Sequence, residues 1–305
     1  MMGRPVWLDM DPGHDDALAL LVALASLPVV GVSTVAGNQT VDKTFLNARR
    51  ILGAADSIVP VAPGYPRPLF RPLVTAADIH GVSGLEGYPF PPLPVRENPP
   101  HALKMMASLI ASASDPIDII ATGPQTNVAA FLIGYPHLRS NMGSVTFMGG
   151  ALDGGNITPY AEFNIYVDPD AAQLVVTSGL PIRMVGLDVT HKALLHPSQL
   201  DRFLGLRHPI GQILHGLFTF FGQHEPHAGA EGMPVHDVLA VAAHVHPEFF
   251  RWKTTPLWVE RQENHERLGA TIAGGPGPAI DVAVDIHVEA FFTWLWETLS
   301  RYREG

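Results

Sequence analysis

Val6-Trp-Leu-Asp-Met-Asp-Pro-Gly-His-Asp-Asp16 is the stretch that decides how the chain is read. Val6 to Leu8 is a short apolar run of the kind that forms a buried strand, and Gly13 permits the sharp turn that must follow. The first strand is expected over Pro5–Leu8 and a helix over Asp15–Ser26, apolar nearly all round and therefore buried. Asp9, Asp11, Asp15 and Asp16 fall within eight residues at this junction. Two unit charges ~4 Å apart cost ~4 kcal/mol at an effective dielectric of ~20, and burial adds desolvation. A helix N-terminus favours acidic side chains, which accounts for Asp15 and Asp16 but leaves Asp9 and Asp11. The crowding points to a polar catalytic or metal site. An all-oxygen donor set suits a hard cation such as Ca²⁺ or Mg²⁺.

Outward from this junction the pattern alternates. Strands are expected at Val29–Val35, Val59–Ala62, Ile117–Ala121, Ser144–Met148 and Pro181–Gly186, and an amphipathic helix at Val41–Leu52. Continuous apolar strands spaced by helices imply an α/β fold with a mostly parallel, Rossmann-like central sheet flanked by helices. Ligands in such sheets bind at the carboxyl ends of the strands, where the acidic cluster lies. Gly64 to Pro100 is rich in proline and poor in periodicity, and reads as a surface connection or an active-site flap. The C-terminal part returns to strand-like runs at Thr255–Arg261, Leu268–Ala273 and Ile280–Val288 and ends in an aromatic helix, Val288–Tyr302. With no internal repeat and no linker, residues 1–305 are expected to form one domain.

Composition narrows the function. Of 305 residues, 47% are apolar and 16% charged, which supports a large core. A net charge of −10, with only four lysines, argues against a nucleic-acid partner and against docking on anionic lipid. The absence of cysteine excludes disulfides and thiolate sites and fits a reducing compartment. The uncharged stretch from Ala17 to Val41 is broken by Ser26, Pro28 and Gly31, so it reads as a buried helix and strand rather than a membrane span.

Three further motifs could carry chemistry. Ala121-Thr-Gly-Pro-Gln-Thr-Asn127 follows a strand and precedes a helix, which alone is ordinary turn chemistry. Met148-Gly-Gly150 leads to Asn156 and to Glu162-Phe-Asn164, donors and acceptors suited to hydroxyl groups beside a close backbone. His236-Asp237 opens an apolar helix; it offers either a proton donor and a further oxygen ligand, or a helix cap with a half-buried imidazole. No His-x-x-x-His pair with a glutamate occurs, so a zinc hydrolase site is not indicated, and His101, His137, His208 and His265 are assigned to the surface.

Asp9-Met-Asp-Pro-Gly-His-Asp-Asp16 resembles the opening motif of the inosine–uridine-preferring nucleoside hydrolases, in which Thr usually stands where Met10 stands here. The resemblance continues through Gly37-Asn38, His80-Gly81, Thr122-Gly-Pro-Gln-Thr-Asn127, Met148-Gly-Gly150, Glu162-Phe-Asn164, Leu187-Asp-Val-Thr190 and His236-Asp237, nearly the whole chain. It implies calcium-dependent hydrolysis of the N-glycosidic bond of ribonucleosides in a cytoplasmic homo-oligomer, a tetramer or dimer. By that resemblance Asp11, Asp16, the Thr126 carbonyl and Asp237 would hold Ca²⁺, and Asp11 would take the proton of the attacking water. Asp15 and Asn164 would bind the ribose diol with Asn38 nearby, Asn156 and Glu162 the 5′-hydroxyl, and Met148 would lie against the sugar. His80 would face the base, and His236 would protonate or hydrogen-bond it as it leaves. The chemistry is coherent, because an oxocarbenium-like sugar is stabilised by nearby carboxylates and a poor leaving group needs a donor.

Base preference is not legible. Pyrimidine-preferring members tend to carry a tyrosine before the His-Asp motif, and Phe220-Phe-Gly-Gln-His-Glu-Pro-His-Ala228 has none. Gln223, His224 or His227 could face the base instead. Two rivals are a haloacid-dehalogenase-like phosphatase, which shares Asp9-Met-Asp11 but wants a later lysine, and a non-catalytic nucleoside binder.

Overall fold

The first strand, β1 (Val6–Met10), is buried along its whole length. Its side chains alternate, as the pleat requires: Val6, Leu8 and Met10 join one hydrophobic core and Trp7 the other. The computed structural model describes residues 3–94, 99–207 and 209–303. His208, expected at the surface, lies outside them, as do residues 95–98 of the proline-rich segment.

β1 is followed by β2 (Val29–Thr34), β3 (Val61–Pro63), β4 (Ile117–Ala121), β5 (Met142–Met148), β6 (Ile182–Val185), β7 (Leu194–Leu195), β8 (Met233–Pro234), β9 (Phe250–Val259), β10 (Thr271–Ala273) and β11 (Ala279–Ile286). Among the described residues, nine of these make one sheet in the order β10-β9-β11-β6-β5-β4-β1-β2-β3, and β7 and β8 pair separately. From β11 to β3 every pairing is parallel; β9 and β10 close one flank antiparallel. The expected mostly parallel, Rossmann-like sheet is present. The chain winds outward from β1 through β2 and β3, then restarts at β4 on the other side of β1. That reversal opens a crevice between the carboxyl ends of β1 and β4, the usual ligand position in open α/β sheets.

Helices cover both faces. His14–Ser26, Ile210–His224, Val238–Val245 and Val288–Leu299 supply one core, and Ala102–Ser112, Thr126–Gly134 and Pro169–Val176 the other. Helix His14–Ser26 is fully buried from His14 to Ala23, as its all-round apolar sequence requires. None of the described helices is long and apolar enough to cross a membrane. The sequence reading differs in places. The third strand starts at Val61, not Val59, and β9 starts at Phe250, five residues before the expected Thr255. The proline-rich segment contains one short helix, Ala77–His80, which places His80 in the interior.

Candidate active site

The turn after β1 delivers the acidic residues to the crevice. Gly13 N–H donates to Asp16 Oδ2 at 3.1 Å, so Asp16 caps the helix that it opens. Thr122, just past β4, donates its hydroxyl to Asp16 Oδ1 at 2.7 Å. Asn38 donates its main-chain N–H to Asp11 Oδ2 at 2.7 Å, and its Nδ2 reaches both Asp16 Oδ2 at 3.1 Å and the Asp11 carbonyl at 3.2 Å. Gly37 is required for this approach: a Cβ there would lie 2.1 Å from Asp11 Oδ2.

The four clustered aspartates do not act as one group. Asp9 accepts from Ser33 Oγ at 2.5 Å and from Asn127 Nδ2 at 2.8 Å, in a network that Trp7 Nε1 enters through Ser33. Asn127 also bonds the Thr34 carbonyl and accepts the Tyr65 N–H, so Asp9 ties β1 to its neighbours rather than to the crevice. Asp15, Asp16 and Asp237 instead bring one oxygen each within 4.8 Å of one another. Asp11 stands beside them, close enough that its charge raises the pKa of Asp237. Thr126 begins the helix after the β4 loop, and its hydroxyl donates to Asp168 Oδ2 at 2.7 Å.

Burial pushes every carboxyl of this group upward. Asp11 and Asp237 rise well above the usual carboxylate range, first by desolvation and then by the neighbouring acids. Asp15 rises to about 8 for the same two reasons, and Asp16 is raised by desolvation. Asp11 Oδ1 and Asp15 Oδ1 are buried without a hydrogen-bond partner. At separations of up to 4.8 Å each ionised pair costs at least about 3.5 kcal/mol at an effective dielectric of ~20. Convergent, orphaned, all-oxygen donors fit a hard divalent cation and suit neither zinc nor a soft metal.

Above the acids lies a small, narrow cavity of about 60 Å³. It is lined by Asp15, Asn38, Met148, Asn156, Glu162, Asn164, His80, His236 and Asp237, so most of the predicted site residues converge on it. Glu162 caps the helix Phe163–Val167; its oxygens accept the Gly150, Asn164 and Ile165 N–H groups, and burial raises it to about 7. Asn164 Nδ2 donates to the Thr122 carbonyl at 2.7 Å and approaches the Met148 carbonyl at 3.3 Å, which leaves Oδ1 to accept from a ligand. Asn156 Oδ1 accepts the Phe163 N–H at 2.9 Å, which leaves its amide NH₂ to donate.

The far wall is imidazole and aromatic. His80 Nδ1 lies 3.0 Å from His14 Nδ1, and His14 Nε2 lies 2.9 Å from the Glu86 carbonyl. A carbonyl only accepts, so His14 Nε2 carries a proton, and the His14 main-chain N–H donates to His80 Nδ1 at 3.4 Å. Burial holds His14 down to about 4 and His80 well below the usual histidine range, so both are neutral. His236 Nδ1 lies 2.9 Å from Thr190 Oγ1. The expectation that His236 titrates near neutrality meets a burial penalty that lowers it to about 3. Phe221 and Glu225, which the sequence reading did not assign, line this wall; Gln223, His224 and His227 do not. His224 turns outward onto Phe220, and His227 pairs with Glu225. The heptad-like spacing of Leu214, Leu217, Phe218 and Phe221 in the helix Ile210–His224 was the available signal for Phe221.

The comparisons with known proteins agree with this geometry. The family model described as inosine-uridine preferring nucleoside hydrolase matches residues 6–293. A pyrimidine-specific ribonucleoside hydrolase, RihA, of Photobacterium profundum is 40% identical over 313 aligned positions, covering 99% of this chain and 100% of that protein. Its counterpart in Escherichia coli O7:K1 is 41% identical with the same coverage. The solved structure of a purine-preferring ribonucleoside hydrolase from Gardnerella vaginalis superposes with a TM-score of 0.90 at 28% identity, covering 98% of this chain and 99% of that one. With its acidic crevice at the β1–β4 reversal and a family match over nearly its whole length, the chain belongs to the inosine-uridine preferring nucleoside hydrolases and is a ribonucleoside hydrolase.

Proposed function

We propose that the protein hydrolyses the N-glycosidic bond of pyrimidine ribonucleosides in a calcium-dependent reaction. The observation that carries the metal reading is the convergence of Asp15, Asp16 and Asp237, with orphaned oxygens on Asp11 and Asp15, at the floor of a cavity lined with hydroxyl-binding groups. The pyrimidine preference rests on relatives at 40–41% identity that are named for it. Asp11, Asp16 and Asp237 with the Thr126 carbonyl would hold Ca²⁺, and Asp15 would complete the acidic floor from the cavity side. When bound, the ion would grip the vicinal diol of the ribose and polarise the attacking water.

The remaining work falls to side chains. Asp11 accepts the water's proton at Oδ1, the oxygen with no protein partner. Asp15 and Asn164 Oδ1 accept from the diol, while Asn156 and Glu162 hold the 5′-hydroxyl. Met148 lies against the sugar, and the acids beneath the ring stabilise its growing positive charge. His80 faces the base. His236 offers the departing base a hydrogen bond from a neutral imidazole, which becomes a better acid partner as negative charge gathers on the ring. The same proposal places the enzyme in the cytoplasm as a homo-oligomer. Ile58, Phe70 and Val82, 98%, 79% and 77% accessible, are exposed apolar side chains of the kind that assembly would cover.

The test is a panel of uridine, cytidine, inosine, adenosine and guanosine assayed for free ribose, with and without a chelator. Ribose from the pyrimidine members, abolished by chelation and restored by Ca²⁺, is expected. Turnover indifferent to chelation removes the ion from the reading, and inorganic phosphate released from phosphate esters without ribose from nucleosides replaces it with a phosphatase.

A further inference from the structure

We propose that Glu225 selects the base, favouring one that carries an amino group over its oxo counterpart; this rests on the hydrolase reading above. Glu225 follows the helix Ile210–His224, its N–H bonded to the Phe221 carbonyl at 2.8 Å, and its side chain is 7% exposed. It lines the cavity together with Phe221, His80 and His236. Its charge is felt by Asp15, which puts the carboxylate within reach of the acidic floor.

Glu225 differs from the other acids of the cavity. Asp15 and Asp237 belong to the ion site, and Glu162 is occupied at both oxygens by main-chain N–H groups. Glu225 Oε1 accepts the His227 N–H at 3.1 Å and lies 3.0 Å from His227 Nδ1. That anchors the carboxylate while Oε2 takes no donor among the described residues. A carboxylate oxygen offers lone pairs, so the wall presents a fixed acceptor to whatever base enters. An exocyclic amine meets it with an N–H; a carbonyl at the same position meets it lone pair to lone pair. Sites built to bond a substrate N–H discriminate strongly against the analogue that lacks it, because the protein group is then left unpaired.

The experiment compares kcat/KM for cytidine against uridine in the wild type, Glu225→Gln and His227→Ala. The wild type is expected to favour cytidine. Glu225→Gln, equal in size but able to donate as well as accept, is expected to narrow the ratio by about tenfold. His227→Ala, which removes only the imidazole anchor, is expected to narrow it less. Melting curves of all three proteins guard against a folding defect, and His227→Ala tests the same wall should Glu225→Gln fail to fold. A wild type that prefers uridine, or variants that change both nucleosides by the same factor, overturns the role of Glu225 and leaves the hydrolase reading intact. Absence of ribose from every nucleoside overturns the hydrolase reading, and this inference with it.

Discussion

Replacing Gly37 with alanine tests the acidic floor without touching a carboxylate. The new methyl carbon would lie 2.1 Å from Asp11 Oδ2 and 2.7 and 2.9 Å from Pro124 Cδ and Cγ. Pro124 belongs to a rigid turn, so the Asp11 carboxylate must retreat by more than an ångström. Retreat breaks the 2.7 Å bond from the Asn38 N–H, and a hydrogen bond to a charged group is worth ~1.5–3 kcal/mol. Calcium affinity is therefore expected to fall by ~10- to 100-fold, and a comparable displacement of a reacting group costs about 100-fold in kcat. Overpacking of this kind destabilises by about 1–3 kcal/mol, so the variant should still fold. Isothermal titration with Ca²⁺ and steady-state ribose release from uridine measure the two quantities. Gly53→Ala is the control, because that glycine sits in the helix Val41–Ala54 with open space around it and should stabilise by ~0.5–1 kcal/mol. A Gly37→Ala enzyme with unaltered calcium affinity and turnover would refute the claim that Asp11 is held in place for the ion.

The remaining expectations follow from the same geometry. With calcium chelated, Asp15 and Glu162 stay protonated to about 8 and about 7 in the fold but ionise near their ordinary values of 3.8 and 4.5 when unfolded. The folded state then binds more protons between those limits, so the melting temperature of the chelated protein should fall as pH rises from 5 to 8, at ~1.4 kcal/mol per pH unit per retained proton. Saturating Ca²⁺ should flatten that slope, and a chelated protein that grows more stable over this range contradicts the assignment. His236→Ala should slow uridine by about 100-fold or more while sparing a riboside whose leaving group needs no proton; equal slowing of both removes the leaving-group role. Asn127→Ala strands the Tyr65 N–H and removes one of two donors from Asp9 Oδ1 and from the Thr34 carbonyl, which keep Ser33 Oγ and the Gly64 N–H; it should cost ~1–3 kcal/mol in denaturant melts, and a loss below ~0.5 kcal/mol shows the network to be slack.

The sequence made the centre of the fold legible and left its rim obscure, for physical reasons. β1, β4 and β5 are buried on both faces, so each reads as a continuous apolar run, and such runs identify themselves. Near the flank, β9 alternates buried and exposed residues and pairs antiparallel, so its length was underestimated. Within the site, Asp16, Asn164 and Glu162 were legible because a motif fixes them to one turn. The separation of Asp9 from the other acids was available in principle: Trp7 and Asp9 share one side of a strand, and Ser33 joins both there. The base wall was legible only in part. His80 and His236 belong to motifs and the spacing of Phe221 marks it as inward-facing, but Glu225 reaches the cavity only because the helix Ile210–His224 packs against the core, and no local pattern records where that helix ends.

The ends of the sheet also restrict how copies of this chain can come together. β3 is three residues long, preceded by Pro60 and closed by Pro63, and neither proline has an N–H to offer a further strand. At the other end β10 is equally short and runs into Gly274, Gly275 and Pro276. Neither border is a template for strand addition, so an apolar sheet of this width is protected from fibrillar growth, and any oligomer must be built from helices and connecting segments, leaving the hydrogen-bonded ladder of each subunit closed.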